Sequence, residues 1–172
     1  PHPLDDKIEC FRAMGFESNE AASFVVDLTK DIEQLWLGLE KRSARKNVER
    51  AVERGLTVET VEDKDEFREY FNVLNETRIR DHVKPYHYKH VYKQWRMLSQ
   101  ENVMKCFVAK KENRTLAGLL ISTFNGYLNE WGAGQSTYAI ENKLYANDLV
   151  RWHIIKWGHD QGYRYYDLTG VN

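Results

Sequence analysis

The sequence predicts an α/β protein: a mixed, mainly antiparallel sheet flanked by helices. Three observations carry that expectation. Between Val103 and Ala133, β-rich runs follow one another with turn residues between them, as in a hairpin meander. A helical pattern over 147–161 then leads into a last strand-like run, 163–168, which makes a β-α-β crossover. Helical patterns upstream carry apolar stripes suited to covering sheet faces.

Taken in order, Asp5 to Met14 has helical spacing, with Ile8, Phe11 and Met14 on one side and Gly15 as a C-terminal stop. Ser23 to Leu28 is a compact β-rich run and is expected as a buried strand. Thr29 suits the N-cap of the next helix, whose Ile32, Leu35, Trp36 and Leu39 recur at spacings of three and four. From Lys41 a helix with two characters is expected. Arg42, Lys46, Arg50 and Arg54 recur every four residues with Arg45 beside them. Ala44, Val48, Ala51 and Val52 form the opposing apolar stripe, and Gly55 ends the helix. Leu56 to Val61 alternates like a strand.

Asp63 to Arg80 is helical, with Phe67, Tyr70, Phe71 and Leu74 inward, and Pro85 breaks the chain. Tyr88 to Leu98 is a further helix facing inward through Val91, Tyr92, Trp95 and Leu98. The meander follows: Val103–Lys110, a turn at 112–114, Leu116–Phe124, the two-residue turn Asn125-Gly126, and Tyr127–Ala133. The 147–161 helix presents Leu149, Trp152, Ile155 and His159 along one side, and Gly162 caps it.

Composition bounds what such a chain does. Its 172 residues suit one domain, and 30% charged against 42% hydrophobic residues excludes disordered and collagen-like classes. No apolar run approaches the ~18 residues that span a bilayer. Twenty-five basic and 26 acidic residues leave a net charge of −1, which argues against a globally basic nucleic-acid binder and leaves room for a local basic patch. The two cysteines, Cys10 and Cys106, have no partner spacing, and no secretory signal is visible. A reducing, cytoplasmic setting is expected. The triplets at Asn75 and Asn113 are then chance glycosylation matches. The chain starts Pro1-His2-Pro3 and stops just after a strand-like run, so it is expected to be a piece of a longer protein.

Two local features point to chemistry. The stripe of Arg42, Arg45, Lys46 and Arg50 is a candidate phosphate- or nucleic-acid-binding face, although Glu49 and Glu53 also suit an exposed helix laced by ion pairs. The run Trp131-Gly132-Ala133-Gly134-Gln135-Ser136 is expected between a strand and a helix. Its glycines would let a ligand approach the backbone, and the helix start near Asn147 would offer N–H groups to an anion. The run is neither a P-loop nor a dinucleotide-binding fingerprint. His87 and His90 lack further ligands, so no metal site is expected, and no serine-nucleophile signature occurs. The abundant aromatics read first as core packing and second as stacking surfaces for substrate.

An ordered series of short motifs resembles the Fem family, the FemABX-type aminoacyltransferases within the GNAT acyltransferase superfamily. It runs through Phe24–Leu28, Leu35-Trp36, Lys41-Arg42, Arg45-Lys46, Gly55–Val58, Glu76-Thr77 with Arg80, Ala117–Leu120, Gly132–Gly134, Asn147–Trp152 and Gly162–Asp167 with Gly170. The resemblance implies a GNAT-like fold. Residues 1–28 would be the tail of a preceding GNAT-like domain, 29–55 connecting helices with a basic face, and 56–172 a second such domain truncated at its C-terminus. The Fem coiled-coil insertion is not evident, and the Phe-Lys pair near the family's C-terminus is absent.

The activity implied is transfer of an aminoacyl group from aminoacyl-tRNA, as co-substrate, to an amine of a peptidoglycan precursor. Two other readings remain open: an N-acyltransferase using acetyl-CoA on a small amine or sugar, and a non-catalytic domain binding RNA or a protein. No covalently bound cofactor is implied. In GNAT-like folds the reaction occurs where two strands splay apart. That places Glu130 as base, directly or through water, and Asp167 as the group orienting the amine. Trp131, Gly132, Ala133, Gly134, Asn147, Tyr166, Thr77 and Arg80 would line the cleft. Backbone N–H groups of the Tyr127–Ala133 strand would hold the developing oxyanion.

Overall fold

The computed structural model describes residues 8–17 and 22–169. Six strands form one sheet in the order β1-β6-β5-β4-β3-β2. They are β1 (Val25–Asp27), β2 (Thr57–Thr60), β3 (Met104–Lys111), β4 (Arg114–Phe124), β5 (Tyr127–Gln135) and β6 (Tyr165–Asp167). Every neighbouring pair is antiparallel except β5 and β6, which the crossover makes parallel. The meander is joined by the two-residue turn at Asn125-Gly126, where both residues take positive φ, as the twist of a tight hairpin demands.

The helices are α1 (Ile8–Ala13), α2 (Ile32–Gly38), α3 (Lys46–Glu53), α4 (Lys64–Arg80), α5 (Tyr88–Gln100), α6 (Thr137–Glu141) and α7 (Ala146–Asp160). None is long and apolar enough to cross a membrane among the described residues. They divide between the two sheet faces. On one, α2, α3 and α7 bury Leu35, Val48, Ala51, Leu149, Val150 and Ile154 against Phe107, Leu119, Ile121 and Leu128. On the other, α4 and α5 bury Phe67, Tyr70, Leu74, Val91 and Trp95 against Met104, Cys106, Val108 and Leu120. Phe67 stacks on Trp95 with centroids 4.3 Å apart.

The start of α4 follows from its sequence. Asp63 caps it by accepting from the N–H groups of Asp65 and Glu66, and those two acids occupy the positive end. Three glycines then set how closely α4 lies on the sheet. A Cβ on Gly118 would stand 2.6 Å from the Tyr70 ring, one on Gly132 2.7 Å from the Tyr70 hydroxyl, and one on Gly134 2.5 Å from the Leu74 backbone nitrogen. Helix and strand therefore meet at a distance only glycine permits.

Several sequence expectations are corrected. The strand near Ser23–Leu28 is an exposed edge strand, with Phe24 and Val25 in solvent, because only β6 flanks it. It pairs into the same sheet as residues 57–167, and α2 and α3 pack beneath α7 rather than only connecting. Thr29 does not cap α2. Its N–H and hydroxyl both donate back to Asp27, and Asp31 stands at the cap position. The stripe recurring every four residues is interrupted by a π-helical turn over Lys41–Arg45, so Arg42 and Arg50 lie on separate helical segments, and Val52 is exposed. The strand expected to end at Ala133 runs on to Gln135, and the short α6 separates it from α7. Residues 5–7 of the first expected helix, and Gly170, lie outside the described residues.

Candidate functional site

The site begins where β5 and β6 part. Their pairing runs through Tyr127 with Tyr165, Leu128 with Tyr166 and Asn129 with Asp167, and then ends. From Glu130 to Gln135, β5 continues with β4 on one side and, among the described residues, no strand on the other. A bulge marks the transition. Leu120 faces Gly132 while Ile121 faces Glu130, leaving Trp131 as the extra residue.

The backbone of this upper half of β5 is completed by side chains. The Gln135 N–H donates to Thr77 Oγ1 at 2.8 Å, and its carbonyl accepts from the Arg80 guanidinium at 3.0 Å. Arg80 also donates to Thr77 Oγ1. The Ser136 N–H turns the other way, to the Leu116 carbonyl. By this alternation Ala133, two residues before Gln135, directs its N–H and carbonyl to the side that lacks a strand. Thr77 and Arg80 thus close the end of the gap, and Ala133 lies within it.

On the α7 face, Glu130 is buried and accepts a two-pronged ion pair from Arg151, at 2.8 and 2.9 Å. The Tyr166 hydroxyl donates to the same carboxylate at 2.5 Å. Burial, reinforced by the Glu130 charge, pushes the Tyr166 phenol far above its ordinary value, so it remains a donor. The hydrogen bonds that Arg151 donates to Glu130 raise the guanidinium likewise. Asn147, on the first turn of α7, donates to Gln135 Oε1 at 3.0 Å, and its side-chain oxygen Oδ1 is buried without a partner among the described residues.

On the opposite face, Trp131 and Tyr86 stack with centroids 5.9 Å apart and planes 23° from parallel. The Arg78 guanidinium also lies over the Tyr86 ring, 3.8 Å from its centroid. Asn75 pins the Tyr86 backbone from both sides, donating to its carbonyl and accepting from its N–H. Asp167 closes the last paired position of β6. One carboxylate oxygen accepts the Thr169 N–H at 2.8 Å.

The structure therefore gathers Glu130, Trp131, Gly132, Ala133, Gly134, Thr77, Arg80, Asn147 and Tyr166 around the upper half of β5, with Asp167 at its mouth. It does not put the two candidate catalytic carboxylates together. Tyr166 shares the face of Glu130, and the next residue of a strand, Asp167, points the other way. Gly132 and Gly134 serve the packing of α4. The basic residues 42–50 lie apart, on the helices under α7. Arg42 and Lys46 are exposed, Arg45 is half-buried with its Nε unpartnered, and Arg50 reaches the Tyr145 ring and hydroxyl. Sequence reasoning did not single out Arg151, Gln135 or Tyr86. Each acts through partners 12 to 58 positions distant, a separation that carries no periodic signal.

The sheet opens at one end of its parallel pair, and comparison with known proteins shows which family this fold belongs to. Residues 40–172 match the family model Acetyltransf_6, the acetyltransferase (GNAT) domain, and the chain belongs to that family. Among solved structures it is similar to FemX, with a TM-score of 0.81 and 13% identity over 98% of this chain and 60% of that one. It is also similar to L-PGS from Bacillus licheniformis (TM-score 0.69, 18% identity, 97% of this chain and 52% of that one). A third likeness is the C-terminal domain of a putative lysylphosphatidylglycerol synthetase from Agrobacterium fabrum (TM-score 0.65, 16% identity, 88% and 46%). The chain thus spans about half to three-fifths of these proteins. No protein of curated function matches it.

Proposed function

We propose that the protein transfers an aminoacyl group from aminoacyl-tRNA to a primary amine, in the gap between β5 and β6. The observation that carries this reading is the unpaired edge of β5 beyond Asn129, where the Ala133 N–H faces an opening instead of a strand. A substrate carbonyl placed there accepts the N–H and keeps it as its oxygen gains charge. The amine nitrogen bonds to the ester carbon, the bond to the ribose oxygen breaks, and the amine proton departs as the ribose oxygen is protonated. Asp167, with one carboxylate oxygen free of hydrogen bonds among the described residues, suits an acceptor arriving as an ammonium ion and takes up its proton. Glu130 has both oxygens engaged. It acts by holding Arg151 and the Tyr166 hydroxyl at the gap, as a positioning residue.

A tRNA ester is favoured over a CoA thioester by the start of α7. A pyrophosphate would be held best by a free helix N-terminus. Here the first turn carries Asp148, whose carboxylate accepts from Asn47 of α3, and Arg54 ties α3 to the Lys143 carbonyl. The resemblance of the sequence motifs to the Fem aminoacyltransferases implies the same donor, and an amine of a cell-wall precursor as acceptor. The test incubates the intact protein with tRNA carrying a labelled amino acid and an amine-bearing muropeptide precursor, and in parallel with labelled acetyl-CoA. Transfer from tRNA alone is expected. Transfer from acetyl-CoA alone overturns the proposal.

A further inference from the structure

Residues 78–96 carry six Lys and Arg, three His and a single acid, Asp81, in a chain of net charge −1. They form the end of α4, the 81–87 loop and most of α5, on the sheet face opposite α7. Val91 and Trp95 turn α5 inward, and Lys89, Lys93 and Arg96, at positions i, i+4 and i+7, line its outer side over about 10 Å. With Lys84 of the loop they are exposed, and none has an acidic partner among the described residues. The stripe leads to the Tyr86–Trp131 stack, whose rings are both more than a third exposed and whose backbone Asn75 holds in place. Trp131 is the bulged residue of β5, next to the gap. Cations in a row ending on fixed aromatic rings match a nucleic-acid strand, whose phosphates repeat and whose bases stack.

We propose that this face binds RNA: Lys84, Lys89, Lys93 and Arg96 take phosphates, and the Tyr86–Trp131 stack takes a base next to the acyl-transfer gap. The proposal rests on the tRNA-dependent reading above, and it moves the expected RNA contact from Arg42–Arg50 to α5.

The test measures binding of deacylated bulk tRNA to the intact protein across a salt series, separately from any transfer. Lys89→Gln/Lys93→Gln/Arg96→Gln should weaken binding at least tenfold at low salt and reduce the salt slope by roughly two to three. Trp131→Ala should weaken it about tenfold with the salt slope unchanged. Arg42→Gln/Lys46→Gln should leave binding as it was. Equal affinity in the α5 variant, or a loss confined to the Arg42/Lys46 variant, overturns the proposal. So does an α5 variant that loses binding to phosphatidylglycerol vesicles while keeping tRNA. A wild-type protein that binds no tRNA overturns the proposal and the donor assignment together. Binding through α5 without aminoacyl transfer upholds the RNA face and removes only the transferase reading.

Discussion

The two halves of β5 show how one strand is both scaffold and site. From Tyr127 to Asn129 it has a strand on each side, and Leu128 is sealed beneath α7. From Glu130 onward the partner on one side is gone, and side chains take over what a strand would do. Thr77 and Arg80 satisfy Gln135, Arg151 and Tyr166 satisfy Glu130, and Tyr86 covers Trp131. Side chains leave gaps that a paired strand does not. On the proposed function, it is there that a substrate carbonyl meets a backbone N–H already aimed.

The contrast is sharpest where α4 presses on the upper half. Gly134→Val puts a Cβ against the Leu74 backbone, which cannot yield as a flexible side chain would. Urea unfolding should show a loss of about 3 kcal/mol or more, or no folded protein. A variant about as stable as the parent would mean that α4 is held elsewhere. Arg151→Met strips the buried Glu130 carboxylate of its ion pair. The expected cost is about 2–4 kcal/mol, at the lower end of the usual range because the arginine side chain is 39% exposed. Adding Glu130→Gln should recover much of that loss. A double variant no better than the single one would rule out an uncompensated charge as the cause.

Tyr166→Phe removes one donor and leaves the Arg151 pair, for about 1.5 kcal/mol. It carries a pH signature. The phenol is raised in the folded state, so its contribution is full below the ordinary tyrosine value of ~10 and is lost as pH rises above it. The variant should lose less stability than the parent on going to alkaline pH. Some loss should persist, because burial raises the Tyr70 phenol too. Thr77→Val is the mildest change. It leaves the half-exposed Gln135 N–H without its acceptor, at about 1 kcal/mol by thermal unfolding. Transfer should nonetheless fall, since the end of the gap loosens. A variant less stable by this amount with undiminished transfer would show that the upper half needs no closure.

The two basic segments repeat the lesson. Residues 41–54 and 78–96 each hold six Lys and Arg, and the first, with its regular spacing, is the one the sequence displays. Its Arg50 and Arg54 are spent on the Tyr145 ring, and the π-helical turn rotates Arg42 out of line. The second keeps a helical period only over Lys89, Lys93 and Arg96, and the rest of its charge sits on the end of α4 and the loop. Its loop is folded back by Arg78 on the Lys84 carbonyl, which brings Tyr86 to Trp131.

The order of strands and helices, the crossover, the Asn125-Gly126 turn and the inward faces of α4 and α5 were legible in the sequence, because each depends on residues within a few positions of one another. The sequence also singled out the run from Glu130 to Gly134, along which β5 loses its second neighbour. What those residues do was decided by contacts between distant parts of the chain. Gly132 and Gly134 looked like room for a ligand and are room for α4. Glu130 looked like a free base and is half of an ion pair with a helix 21 residues on. Asp167 lies on the other sheet face from Glu130 and Tyr166, because a strand turns every second side chain away. Local pattern determined which elements form. Only their packing decided where the sheet opens, since a gap is set by the strand that fails to extend beside it.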